Sequence, residues 1–416
     1  MIRTRDNTSI AFRQFVDGSH APVIVQVLPA LNSGGVEQGV IDINAAIVRA
    51  GGRSIVVSSG GRRTHEIAKA GGTHIEMSVH SKNPLTMAAN VKRLRSLIRE
   101  HDVDIVHACS RAPAWSAARA VQGTSARFLT SCHAAHKLGG PLKRLYNSSI
   151  AKGERVIAVS HFLADYLEQN YKTDPNIIRV VHRGVAIEKF HPNSVTPERL
   201  VALSRQMRIP DGAAVVLLPA RLTRIKGHMF LLDAIAEMKR RDVFCLFVGS
   251  DTGNESYRKE LETYIAAREL GGQVRIETKC DDIPAAYMIA TVVVVPSVVP
   301  EGFGRVPIEA QAMGRPVIAT DHGGARETIL RDETGWLVPP DDVHALSQAL
   351  TEAMGLDMRG RAMLATQAMN HVATHFTNDQ MCQGTLDVYA EMLQLANMKA
   401  LPPSNDIPVQ AADAAR

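Results

Sequence analysis

The stretch "VVVVPSVVPEGFGRVPIEAQAMGRPVIAT", residues 292–320, carries one full unit of an α/β chain. Four valines run into Pro296 and Ser297, which reads as a buried strand and its end. A loop follows, a helix opens at Pro307 and stops at Gly314, and "PVIATD" (316–321) starts the next buried strand. Two such strands joined by a helix run parallel, because the helix returns the chain across the sheet before the second begins. Glu301 stands on the loop and Glu309 in the first helical turn, with Gly302, Phe303 and Gly304 between them. Both carboxylates thus sit at a strand's carboxyl end, where open α/β sheets hold their ligands.

The same alternation extends outward in both directions. Apolar runs at "VIVQVLP" (23–29), "SIVVSSG" (54–60), "DIVHACS" (104–110), "FLTSCHA" (128–134), "RVIAVS" (155–160) and "IRVVHRG" (178–184) precede helix-like segments. In the second half "VVLLPA" (215–220), "FCLFVGS" (244–250), "VRIET" (274–278) and "GWLV" (335–338) join the two strands above. Near-continuous apolar strands between helices mean parallel sheets covered on both faces. The chain has 416 residues, too many for one ordinary core, so two doubly wound α/β domains are expected. The boundary falls at "FHPNSVTPERL" (190–200), where Pro, Asn and Ser gather. The expected parts are an extension (1–21), a first domain (22–195), a second (196–375), a helix (376–397) packing back on the first, and a tail (398–416).

Composition narrows the class. Hydrophobic residues make up 45% and charged residues 21%, which suits a soluble globular protein. No apolar run approaches the ~20 residues that span a bilayer, and the first twenty residues lack a signal-peptide core. Five cysteines (109, 132, 245, 280, 382) are scattered without CxxC spacing, which points to reduced thiols in a cytoplasmic protein. The net charge of +5 hides an asymmetry. Residues 1–195 carry 25 Lys and Arg against 14 Asp and Glu, and the remainder 22 against 28. The first half therefore suits an anionic partner, or else presents an ordinary solvated face. Aromatics are only 5% and no nucleic-acid motif occurs, so nucleic acid is not an expected partner.

Three more strand ends carry unusual residues. In "LPALNSGGVEQGVIDINAAI" (28–47) Gly34 and Gly35 precede a helix whose N–H groups suit an anion, although taken alone the pair reads first as a plain tight turn. In "LPARLTRIKGHMFLLDAI" (218–235) Arg221 and Lys226 share a short loop, with Gly227 opening the next helix, a diphosphate clamp or two surface cations. In "LTSCHAAHKLGG" (129–140) His133 and His136 end a strand, either as structural residues or as donors to a sugar hydroxyl or leaving-group oxygen. Around the first stretch, Glu309 can accept from two neighbouring ribose hydroxyls. Glu301 can approach the ring that the diphosphate carries, and the backbone N–H groups of Phe303, Gly304 and Arg305 can bind that ring's hydroxyls. The set suits a nucleotide diphosphate-sugar.

Glu301-x7-Glu309 closely resembles the E-x7-E motif of retaining GT-B glycosyltransferases, in glycosyltransferase family four. "SGGVEQ", "CHAAH", "VIAVSHFLADYL", "HRGVAIEKFHP", "ARLTRIKGH", "GGARETI" and "TGWLVPPDD" agree in order, so the resemblance covers roughly residues 22–395. It implies two Rossmann-like domains around a cleft, with a UDP- or GDP-sugar held mainly by the second and the acceptor by the first. By position, Arg221 and Lys226 would hold the diphosphate, Glu309 the ribose and Glu301 the donor sugar, with the N–H groups of Phe303, Gly304 and Arg305 on its hydroxyls. Gly34 and Gly35 would approach the diphosphate across the cleft, and His133 would contact the transferred sugar. Neither cofactor nor metal is implied, so Asp281-Asp282 and Asp341-Asp342 read as surface acids.

Two departures stand out: "HRGVA" replaces the usual "PNGVD", and "IETKCDD" lacks a glycine near the base. The pattern is similar to bacterial lipopolysaccharide-core or capsule enzymes. The basic segment "KLGGPLKRLYNSSIAKGERV" (137–156) suggests an enzyme peripheral to an anionic membrane surface, extending a glycan or lipid-linked acceptor. A soluble acceptor, a sugar-nucleotide epimerase and a noncatalytic sugar-nucleotide-binding protein are the alternatives. Retention by front-face attack and by a covalent intermediate both remain open.

Overall fold

The computed structural model describes residues 21–400 apart from Ser33 and Lys137. Nearly all of the expected N-terminal extension, the tail from residue 401 and Lys137 of the basic segment lie outside the described residues. Seven strands form the first sheet: β1 (Val23–Val27), β2 (Arg53–Ser58), β3 (Thr73–Glu76), β4 (Ile105–Ala108), β5 (Arg127–Cys132), β6 (Arg155–Ala158) and β7 (Ile178–Val180). Six form the second: β8 (Ala214–Pro219), β9 (Val243–Val248), β10 (Val274–Glu277), β11 (Val292–Val295), β12 (Val317–Thr320) and β13 (Trp336–Val338). The pairing is parallel throughout.

The orders are β3-β2-β1-β4-β5-β6-β7 and β10-β9-β8-β11-β12-β13. Each sheet thus reverses direction beside its own first strand, between β1 and β4 and between β8 and β11. A doubly wound sheet leaves a crevice at that reversal, beyond the strands' carboxyl ends. The loops after β1, β8 and β11 open there, and they carry most of the residues singled out above. β1 and β9 are buried at every position, as strands covered by helices on both faces must be. The sequence pattern missed β3, whose residues are exposed or half-buried.

The helix after β11 spans Arg305–Ala312 and opens two residues earlier than Pro307 suggests. A first-turn proline lacks only an N–H that has no helical partner, so Pro307 need not be the first helical residue. Glu309 consequently lies in the second turn, one turn above Arg305.

Between the domains the chain crosses twice. It leaves β7 for the helix Pro197–Gln206, where Arg199 pairs with Asp282 at 2.6 Å. It returns where Val185 bridges Thr377, then enters the helix Asn378–Ala400, which lies against the helix Gly35–Arg49. Tyr389 anchors this last helix in the first domain's core, its hydroxyl 2.8 Å from Nδ1 of His107.

Candidate functional site

Gly227 and Pro296 fasten the second domain's two ligand loops together. Gly227 holds φ at 72°, and a Cβ built there would lie 1.7 Å from the Pro296 carbonyl oxygen. Only glycine meets both demands. The Val298 N–H also donates to the Ile225 carbonyl at 3.0 Å. This closeness sets Lys226 Nζ 2.7 Å from Glu301 Oε2, so two residues 75 positions apart form one ion pair. Gly227→Ala is expected to destabilise the chain by more than about 2 kcal/mol, since the left-handed φ alone costs ~1–2 kcal/mol. Thermal unfolding beside the wild type measures it.

Glu301 is about a quarter exposed and also accepts from the Ser297 hydroxyl. Burial pushes its carboxyl up, but Lys226 and Ser297 outweigh that and hold it below the usual range. A shallow pocket opens beside it, lined by Ser297, Glu301, Phe303, Gly304 and His322 among others. His322 Nε2 lies 2.8 Å from the Ser297 carbonyl, and its Nδ1 is buried without a partner. Gly304, at φ 79°, caps the helix Arg305–Ala312 and aims that N-terminus along the same side. Arg221 is exposed, and among the described residues its guanidinium has no hydrogen bond or ion pair.

Glu309 differs from expectation. It is 6% exposed, and both its oxygens already have partners. Oε1 accepts from Arg305 at 2.5 and 3.0 Å, and Oε2 accepts from the Tyr287 hydroxyl at 2.8 Å. Oε1 is filled by Arg305, so two neighbouring ribose hydroxyls reach both oxygens of this carboxylate only if Arg305 gives way.

The first domain closes over these loops. The Ser160 hydroxyl donates to the Gly302 carbonyl, and a Cβ on Gly302 would lie 2.6 Å from the His133 carbonyl oxygen. His133 therefore abuts the loop bearing Glu301. Its Nδ1 is buried without a partner, and burial, with Arg183 nearby, keeps the ring neutral. Gly34 caps the helix Gly35–Arg49, and Gly35 comes within 3.4 Å (built Cβ to Cδ) of Arg305 across the cleft.

The "HRGVA" departure has a structural outcome. Arg183 runs beneath that helix and donates to the Gly35 carbonyl, while Gly39 lacks a side chain where a Cβ would meet Arg183 at 2.7 Å. His182 turns to Glu327 at 2.9 Å, and Glu327 also accepts from the N–H groups of His161 and Phe162. A carboxylate from the second domain thus caps the helix His161–Tyr171 of the first and ties the domains together. Asp282 and Asp342 cap the helices Ile283–Ile289 and Val343–Gly355.

Residue spacing thus led to Glu301, Lys226, Phe303 and Gly304, which the fold gathers, and to Gly34, Gly35 and His133, which it sets opposite. It missed Ser297, Tyr287, His322 and the side-chain role of Arg305. Ser297 and His322 follow the ends of β11 and β12, so the strand-end rule reaches them. Tyr287, inside a buried helix, gave no signal.

Comparison with known proteins matches this geometry to one family. The family described as "Glycosyl transferases group 1" matches residues 202–370, and "Glycosyltransferase Family 4" matches residues 33–189. A glycosyltransferase crystal structure from Rickettsia africae is 37% identical, with a TM-score of 0.84, over 90% of this chain and 99% of that one. HepE from Anabaena, solved in complex with UDP-glucose, shares the fold at 22% identity and a TM-score of 0.76, over 90% of this chain and 99% of its own. The D-inositol 3-phosphate glycosyltransferase of Streptomyces bingchenggensis is 32% identical over 257 residues, 59% of this chain. The chain spans 54% of that protein's length, about half, as with the similar Salinispora tropica protein.

Proposed function

This chain belongs to the group 1, family four glycosyltransferases, of the GT-B fold, and from that premise we propose a retaining hexosyltransferase that draws on a UDP- or GDP-linked donor. The observation that carries it is the Lys226–Glu301 pair, held on two loops at the crevice of the second sheet and faced by the Gly35 turn.

As the sugar leaves its diphosphate, positive charge grows on the ring and negative charge on the phosphates. Lys226, Arg221 and the N-terminus of the helix Arg305–Ala312 meet the leaving charge from positions fixed in advance. Ionised Glu301 faces the ring. The neutral ring of His133 can take a hydrogen bond from a sugar hydroxyl or give one to it. Side-chain cations here do the work a divalent ion does elsewhere, so transfer is expected to keep its rate in EDTA. Gly302, packed on His133, keeps water away from the bond being broken.

The acceptor is a glycan or lipid-linked glycan of the cell surface, of the lipopolysaccharide or capsule kind, met at an anionic membrane face. In the helix Pro141–Asn147, Leu142 (84% exposed) and Leu145 (64%) share a face at i,i+3 spacing, with Lys143 and Arg144 exposed between them in sequence, so the helix presents both apolar and basic groups outward. Among the described residues no helix is long and apolar enough to cross a membrane. The other candidate is a soluble phosphorylated polyol, the kind of acceptor named for the Streptomyces relative.

A thermal-shift screen with UDP- and GDP-sugars, followed by NMR of the product's anomeric proton, tests the reaction. An inverted product overturns retention. Conversion of the donor without an acceptor points to an epimerase, and binding without turnover to a noncatalytic protein. Co-sedimentation with phosphatidylglycerol vesicles at low and high salt separates the acceptor sources, and indifference to anionic lipid removes the membrane role.

A further inference from the structure

We infer that Arg305 is an exchangeable occupant of the ribose seat: nucleotide binding hands Glu309 from Arg305 to the ribose hydroxyls, and the freed guanidinium joins Arg183 on the diphosphate. This rests on the nucleotide-sugar reading above and deepens it.

Three observations converge. First, the two partners of Glu309 are unequal. Tyr287 is fully buried and fixes Oε2, whereas the Arg305 side chain on Oε1 is 30% exposed and grows from the first helical residue. Arg305 is the partner free to leave. Second, Arg305 already lies against the Gly35 turn, with Cδ 3.4 Å and Nη1 4.0 Å from a Cβ built there. A modest side-chain rotation carries its guanidinium to whatever binds at that turn. Third, two guanidiniums crowd this turn. Arg183 is 8% exposed and pinned under Gly35, and burial together with the charge of Arg305 lowers its pKa to about 10. Asp42 and Glu37 face Arg183 while Glu309 holds Arg305, so a guanidinium that leaves Glu309 needs a new anionic partner. Two arginines converging on the N-terminus of a 15-residue helix suit an anion with several oxygens.

The exchange gives the site a logic for the intact nucleotide. A nucleoside without phosphates must break the Arg305–Glu309 pair and offers the guanidinium nothing in return. A nucleoside diphosphate replaces both bonds. Discrimination between the two is therefore built into one arginine, four residues before the ribose-binding carboxylate.

Calorimetry with uridine and UDP, and with guanosine and GDP in parallel, tests this on the wild type and on Arg305→Leu. The variant is expected to bind the nucleoside as tightly as the wild type or several-fold tighter. It is expected to bind the diphosphate about tenfold more weakly, so that the nucleoside-to-diphosphate ratio collapses. A purely structural arginine weakens both equally, and an unchanged ratio overturns the inference. A wild type that binds none of the four overturns the nucleotide-sugar reading itself, a different failure. A crystal structure of the unmodified chain with UDP decides the matter independently of the variant's folding. Arg305 on a phosphate oxygen with Glu309 on the ribose supports the exchange, and Arg305 still on Glu309 refutes it.

Discussion

Lys226→Met is expected to lower the rate constant for sugar transfer by about 10²- to 10³-fold, the range set by removing one preorganised charge partner of a transition state. The ammonium has two tasks, and methionine keeps its length while ending both. In the proposed reaction it meets the leaving diphosphate, and in the structure it holds Glu301 at 2.7 Å. Glu301→Gln removes the same unit from the other side and is expected to cost a similar factor. The two losses should add only in part: with Glu301 changed, Lys226→Met still costs its share on the diphosphate, but the share that runs through the pair is already gone, as coupled neighbours behave in a double-mutant cycle. Simple addition would show that the pair is not one functional unit.

The pH profile supplies a second check. In the wild type Lys226 and Ser297 hold the Glu301 carboxyl below its usual range despite burial, so the carboxylate serves at all higher pH and is lost only as pH falls through that depressed value. Lys226→Met removes the largest influence opposing burial and leaves only Ser297 and His322, so the acid limb of the residual rate should move upward in pH.

The sheets were legible because parallel strands covered on both faces are written as short apolar runs, such as the four valines of β11. Where that condition fails, as in half-exposed β3, the pattern is silent. Glu301 and Lys226 were legible as strand-end residues, but their pairing was not. It depends on Gly227 fitting under the Pro296 carbonyl, a contact between distant loops. The Arg305–Glu309 pair stands at helical i,i+4 spacing and was within reach. Taking Pro307 as the first helical residue left Arg305 on the loop and hid it. The turn of Arg183 beneath Gly35 depends on the first domain's tertiary packing, which residue spacing does not encode.

Gly302→Val is expected to lower transfer by about 10²-fold or more while changing UDP affinity far less, because a misplacement of ~1 Å in a catalytic constellation is enough for such a loss. The residue is where the two halves of the site meet. Its carbonyl takes the Ser160 hydroxyl, and its Cα side faces the His133 carbonyl and the Leu163 side chain, at 2.6 and 2.9 Å from a built Cβ. The carbonyl belongs to backbone at the end of β5 and cannot turn aside, so a larger side chain must push the domains apart. Arg221, Lys226 and Glu309 all belong to the second domain and are untouched by that movement, so the nucleotide keeps most of its hold. What is lost is the approach of His133 and the Gly35 turn to the donor, and with it the exclusion of water. Hydrolysis of the donor should then rise relative to transfer, and small-angle scattering should report a larger radius of gyration. A variant that transfers sugar at the wild-type rate would show that the contact between Gly302 and His133 has no part in the reaction.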